Sequence, residues 1–153
     1  MKKILLTLSI AFLGLSAFAG DKEDALAFFN NYVRSANTYS TSVPTLYAGN
    51  AKIIRQVVKP DGTTVDVNTD TATYIKQMKL SQSVAKMKGY THSYSDITVT
   101  PIATGYKISA LRQPKGETYK LKMYQIIQKQ PDGKWLIIEE MMQTKVQIIA
   151  TAK

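Results

Sequence analysis

Gln130-Pro131-Asp132-Gly133-Lys134-Trp135-Leu136-Ile137-Ile138-Glu139-Glu140-Met141-Met142 reads as a tight turn feeding a strand. Proline presets φ, aspartate bonds locally to the backbone, and glycine takes the left-handed position. Lys59-Pro60-Asp61-Gly62 and Gln113-Pro114-Lys115-Gly116 share the form x-Pro-x-Gly, each between hydrophobic runs. Turns of this kind join antiparallel neighbours. Strands are therefore expected over residues 51–58 and 63–67, and again over 90–103, 106–112, 118–128 and 135–147. Thr104-Gly105 makes the remaining turn.

Two helices interrupt the strands. Asp21-Lys22-Glu23-Asp24 is expected to start the first, with acids beside the positive end of the helix dipole. Ala25, Leu26, Phe28, Phe29, Tyr32, Val33 and Ala36 then recur with helical spacing. Asn37 to Ser42 is a polar break, and residues 43–47 form one short helical turn ended by Gly49. The second helix is expected over residues 71–88, with Asn68, Thr69 and Asp70 as N-cap candidates and Gly89 as its stop. The order is α-α-β-β-α-β-β-β-β. Sequential hairpins make a mainly antiparallel sheet, and the helices must bury their faces on one side of it. That is the α+β solution, with a curved sheet wrapped around the helices and a pocket at its open end.

The first twenty residues have a different character. Met1-Lys2-Lys3 is a basic start, residues 4–15 are apolar apart from Thr7 and Ser9, and Ala17-Phe18-Ala19 carries small residues where a signal peptidase reads. The pattern is that of a secretory signal peptide, residues 1–19, cleaved after Ala19. The apolar run is shorter than the about 20 residues of a spanning helix. The chain has no cysteine. This excludes a lipid-anchored cleavage site, disulfides, thiolate metal sites and cysteine nucleophiles. Residues 20–153 then form one domain, periplasmic or secreted, with no transmembrane segment.

The charge is +9, from 20 basic and 11 acidic residues. It falls to +7 once Lys2 and Lys3 are removed. Such a balance favours anionic partners. The lysines are dispersed, and arginine occurs only at positions 34, 55 and 112, so nucleic acid is not expected as a partner.

The opening Asp24-Ala25-Leu26-Ala27-Phe28-Phe29, the turn Leu46-Tyr47-Ala48 and the ending from Asp132 to Glu140 together resemble the nuclear transport factor 2-like superfamily, also called ketosteroid-isomerase-like or SnoaL-like. The resemblance covers nearly all of residues 20–153. It implies a cone-shaped α+β fold and, often, a homodimer formed through the outer sheet face. The superfamily holds isomerases, dehydratases, cyclases and non-enzymatic binders, so function must be argued from the site. Its ketosteroid isomerase branch uses an aspartate base with a tyrosine and a protonated aspartate as oxyanion donors. Its dehydratases combine histidine with carboxylates and tyrosines.

His92 is the only histidine. In a regular strand Tyr90, His92, Tyr94 and Asp96 share a face, but Asp96 lies about 13 Å from His92 along it, so a partner must come from another strand. Glu139 and Glu140 are adjacent and point to opposite faces. Whichever faces inward is expected among apolar groups, either as a general acid favoured by burial or as a structural carboxylate bonded to a tyrosine hydroxyl. His92, Asp96, Glu139 and Glu140 are thus the catalytic candidates. Metal and cofactor sites are not expected, since one histidine without cysteine cannot build a zinc site and no phosphate-binding loop occurs.

Nine tyrosines stand against four phenylalanines and one tryptophan. Tyr32, Tyr39, Tyr47, Tyr74, Tyr94, Tyr124 and Trp135 are candidates to line a pocket for an amphipathic ligand, with Met78, Met87, Met123, Met141 and Met142 as adaptable wall. The reading favours an exported, non-catalytic binder of a small anionic, amphipathic or lipid-like molecule. A proton-transfer enzyme using His92 is the alternative. A third reading is a dimeric interaction module in which the last strand pairs through Val146, Ile148 and Ile149.

Overall fold

A computed structural model describes residues 13–150 of the chain. The expected leader lies outside the described residues for positions 1–12 and for all side chains up to Ala19. The elements are α1 (Leu13–Asn37), a 3-10 turn (Val43–Leu46), β1 (Tyr47–Val58), β2 (Thr64–Thr69), α2 (Thr71–Lys88), β3 (His92–Ile102), β4 (Gly105–Pro114), β5 (Leu121–Lys129), β6 (Trp135–Thr144) and a closing 3-10 turn (Gln147–Ala150). No helix among the described residues is long and apolar enough to cross a membrane.

The six strands form one sheet in the order β2-β1-β6-β5-β4-β3. Every neighbouring pair is antiparallel except β1 with β6, which is parallel. The meander from β3 to β6 thereby brings its last strand beside the first hairpin. Register shifts fall between Tyr47 and Lys52, between Ser95 and Thr98, and between Ile126 and Ile127. Bulges of this kind bend a strand and increase its twist, which lets the sheet curve around α1. The fold class is the expected α+β one.

Burial in β4 alternates without a break from Tyr106 to Pro114, as a sheet with one covered face requires. Phe29 and Ala25 of α1 are fully buried against Ile53, Ile108, Ile127 and Ile137. Phe29 meets Tyr94 edge-on, with ring centroids 5.6 Å apart. Burying a side chain of this size contributes about 2–3 kcal/mol.

Local chemistry explains the helix ends. Asp70 caps α2 by accepting from the Thr73 amide at 2.9 Å. Gly89 ends it in the left-handed conformation, and the Tyr90 amide reaches back to the Ala85 carbonyl. α1 ends with the same hydrogen-bond pattern, its Ser40 amide reaching Ser35, but a tyrosine occupies the left-handed position: Tyr39 has φ 57°. Such a residue costs about 1 kcal/mol relative to glycine. The Asn37 side chain ties this end to β3 by two hydrogen bonds with the His92 backbone, at 2.8 and 3.0 Å.

Most strand ends move by one to three residues from expectation, and three boundary differences change a reading. The backbone is already helical from Leu13, so Asp21-Lys22-Glu23-Asp24 lie inside α1 and not at its start. Gly49 does not end the first short turn. It lies within β1, which starts four residues earlier than expected because Tyr47 already pairs with Ile137. The last strand stops at Thr144, whose hydroxyl captures the Val146 amide at 3.1 Å in place of a ladder partner. Val146 and Ile149 therefore belong to no strand, and the side chain of Ile148 lies outside the described residues.

Gly105 opens β4 at φ 156°, where a Cβ would run into the carbonyl oxygen of Ile127. Gly62 is also left-handed, at φ 84°, but has open space around it. Gly105→Ala is expected to cost about 2–4 kcal/mol in denaturant unfolding, whereas Gly62→Ala costs about 1 kcal/mol.

Candidate functional site

A cavity of about 440 Å³ lies between the end of α1, the inner face of α2 and the covered face of the sheet. That volume is within the range of small-ligand sites. Tyr32, Tyr39, Tyr74, Tyr90 and Tyr94 contribute to its wall, with Met78 and Met142 as flexible apolar surface. Among the described residues its charged lining consists of Arg55, Lys79 and Arg112, with no aspartate or glutamate.

The floor beside this cavity is organised by Glu140, which is fully buried. Its Oε2 accepts from Tyr47 Oη at 2.7 Å and from Gln125 Nε2 at 2.9 Å. Its Oε1 accepts from Tyr74 Oη at 3.2 Å and faces Arg55 Nη1 at 3.4 Å. A carboxylate has about four lone-pair sites, and these four donors fill them. The Arg55 guanidinium also lies 4.4 Å above the Tyr74 ring, and the Tyr47 and Tyr74 rings meet edge-on. Burial, reinforced by the charge on Glu140, holds the hydroxyls of Tyr32 and Tyr47 well above the usual phenol range. The tyrosines stay protonated as donors. The inward glutamate was expected among apolar groups. It sits instead in a satisfied polar cluster, because β1 supplies Tyr47 and Arg55, β5 sets Gln125 directly opposite it, and α2 adds Tyr74.

Glu139 points to the other face of the sheet, as alternation requires. It accepts from Tyr124 Oη at 2.6 Å, and Lys107 covers the Tyr124 ring at 4.3 Å. Tyr124 and Glu139 are thus remote from the cavity. Trp135 lies elsewhere again, against Tyr106 and beside Phe28 and Leu46 in a shallower depression. Tyr47 belongs to the Glu140 cluster and does not line the cavity. Among the methionines, Met123 is core, Met87 is solvent-exposed, and Met141 is on the outer face of β6.

His92 does line the cavity, with Tyr90 packed edge-on at 4.9 Å. Its strand neighbour Asp96 does not follow. The register shift after Ser95 gives Asp96 a φ of 53°, which breaks the alternation and leaves its side chain in solvent. The partner of His92 is a cation: Arg112 Nη1 lies 2.7 Å from His92 Nε2. Guanidinium only donates, so Nε2 accepts and the ring proton resides on Nδ1. Burial, then the Arg112 charge, pull His92 down to about 4. It is a weak base near neutral pH, and its available lone pair is engaged.

Arg112 is buried, at 9% exposure. Its Nη2 donates to the Gln143 carbonyl at 2.7 Å, and its Nε has no partner among the described residues. No ion pair to it occurs among the described residues, whereas Arg55 has Glu140. Sequence reading passed over Arg55, Arg112 and Gln125. A signal was present: each occupies the apolar parity of an alternating strand. Arg112 follows Tyr106, Ile108 and Ala110 in β4. Gln125 lies between Met123 and Ile127 in β5, and Arg55 between Ile53 and Val57 in β1.

Two outcomes are expected. Glu140→Ala costs about 3–5 kcal/mol in denaturant unfolding, since it strands the Arg55 charge and three polar donors, while Tyr47→Phe costs about 1.5–3 kcal/mol. The unfolded chain binds a proton at His92 near pH 6.5, and the folded one only near pH 4. His92 therefore contributes stability that is present above pH 6.5 and lost as pH falls towards 4. NMR titration of this single imidazole should give a midpoint near 4, and His92→Gln should flatten that part of the stability profile.

No protein-family model matches the sequence, and no curated protein matches it. Solved structures do match in three dimensions. An NTF2-like protein of unknown function from Pseudomonas putida has a TM-score of 0.65 at 9% identity, covering 82% of this chain and 87% of its own. An NTF2-like protein with a cystatin-like fold from Novosphingobium aromaticivorans has a TM-score of 0.63 at 12% identity, covering 89% and 91%. A candidate dehydratase of the NTF2-like family from Streptomyces avermitilis has a TM-score of 0.60 at 10% identity, covering 84% and 98%. At such identities the likeness carries architecture and not activity. The curved sheet, its strand order and these matches establish that the chain has the nuclear transport factor 2-like fold.

Proposed function

We propose that the cavity binds a small amphipathic anion and does not convert it. The observation that carries this reading is the charge of the wall: among the described residues three cations and no acid line it, and the buried Arg112 has no carboxylate partner. Buried charges are ordinarily paired. An arginine cannot escape the cost of burial by losing its proton. A ligand carboxylate, sulfate or phosphate supplies the missing charge, and Met78, Met142, Val43 and Ile149 receive an apolar body. Binding without turnover is favoured because the groups a proton-transfer reaction would use are committed. Glu140 has its lone pairs filled, His92 accepts from Arg112, and Asp96 and Glu139 are remote.

We further infer that the protein works outside the cytoplasm after removal of residues 1–19. The described contacts suit this: Asp21 pairs with Lys129 at 3.2 Å, and Ala25 is the first buried residue of α1 among those described. A cut after Ala19 leaves both in place and brings Asp21, Glu23 and Asp24 to the new helix start, where acids are favourable. N-terminal sequencing of the exported protein should begin at Gly20.

The cavity reading is tested by calorimetric titration with decanoate and with its uncharged analogue decanol. Decanoate is expected to bind, and Arg112→Gln to weaken it at least about thirtyfold, a loss of about 2 kcal/mol, with decanol affinity unchanged. Equal decanoate affinity in both proteins would remove Arg112 from the site.

A further inference from the structure

α2 carries two unlike faces. Tyr74, Met78, Gln82 and Ala85 look towards the cavity, and the Gln82 side chain donates to the Tyr39 carbonyl. The opposite side presents Leu80, Val84 and Met87, exposed by 70%, 45% and 80%. Their spacing of four and then three residues aligns them in one stripe along the helix. Single exposed leucines are ordinary; three large apolar side chains in a row on one outer face are not. Lys76 and Lys88, four residues from Leu80 and from Val84, flank the stripe, and α2 contains no acidic residue. Thr71 is the only buried residue of α2, and the anchoring bonds of the helix cluster in its N-terminal turn.

We infer that this outer face of α2 docks on an anionic lipid surface. An apolar stripe bordered by lysines matches the boundary between headgroups and acyl chains: the stripe enters the apolar side, and the lysine stems lie along it with their ammonium groups at the phosphates. Charge complementarity selects this occupant over a second copy of the chain. Two α2 faces laid together would set lysine against lysine with no acid between them. Because α2 also walls the cavity, docking sets the cavity beside a surface that holds amphipathic anions. Only that last link rests on the cavity reading; the docking itself does not.

Vesicle sedimentation tests it, comparing the protein as recovered from cells with its Leu80→Ser/Met87→Ser double variant. Both carry the same N-terminus, so any contribution from it cancels. The protein is expected to pellet with phosphatidylglycerol–phosphatidylcholine vesicles and not with phosphatidylcholine alone, and to be released as salt rises. The double variant should lose at least about tenfold in partitioning and keep its decanoate affinity. Equal partitioning of the two proteins, or no partitioning to anionic vesicles, overturns the inference. A concentration-dependent dimer abolished by the double variant, without vesicle binding, overturns it in favour of self-association. Vesicle binding with no decanoate binding would sustain the docking face and sink the cavity reading alone.

Discussion

The carboxylate of Glu140 is the constraint on which the rest of the architecture depends. It is fully buried, and its four donors come from β1 twice, through Tyr47 and Arg55, from β5 through Gln125 and from α2 through Tyr74. One side chain therefore ties together three adjacent strands and the helix laid over them. In a buried environment such a cluster is costly if a single partner is missing. The register between β1 and β6 follows from it, because a slip by one residue would turn Glu140 to the outer face and expose the covered face's donors unpaired. The parallel pairing of these two strands, distant in sequence, has a polar reason as well as an apolar one.

The same cluster shapes the cavity's electrostatics. Arg55 is neutralised by Glu140, and Lys79 lies on an exposed part of α2. What remains in the interior is Arg112, wedged between the His92 ring and the Gln143 carbonyl. Two arginines of the same sheet face thus have opposite status, one compensated and one not. His92 stays neutral for the same reason that Arg112 stays charged: the imidazole can yield its proton to relieve repulsion, and the guanidinium cannot. On the binding reading proposed above, this constellation receives negative charge and does not move protons.

The attachment of α2 fits a peripheral helix. Its N-terminus is anchored by the Asp70 cap, the Thr71 hydroxyl on the Ala51 carbonyl at 2.7 Å and the Tyr74–Glu140 bond. Its middle contributes few buried groups. Elements of this kind open at lower free energy than the core strands, and this one stands between the cavity and the solvent.

Much of this was legible in the sequence. The three x-Pro-x-Gly turns and the alternating runs between them specify antiparallel hairpins, because proline and glycine restrict the backbone locally whatever the surroundings. The span of α2 follows from an aspartate cap and a left-handed glycine, which are also local devices. That Glu139 and Glu140 oppose each other follows from the period of a strand alone. Partnership was not legible. Residue spacing could not show that Glu140 meets Tyr47, 93 positions away, nor that His92 meets Arg112 and not a carboxylate. A bulge, which depends on cross-strand register, removed Asp96 from the face where simple alternation put it. The sequence by itself determined the elements and their facing, since turn chemistry and side-chain period act over a few residues. Only the tertiary structure decided which buried polar groups pair and which charge is left over, since those contacts exist only once distant strands lie side by side.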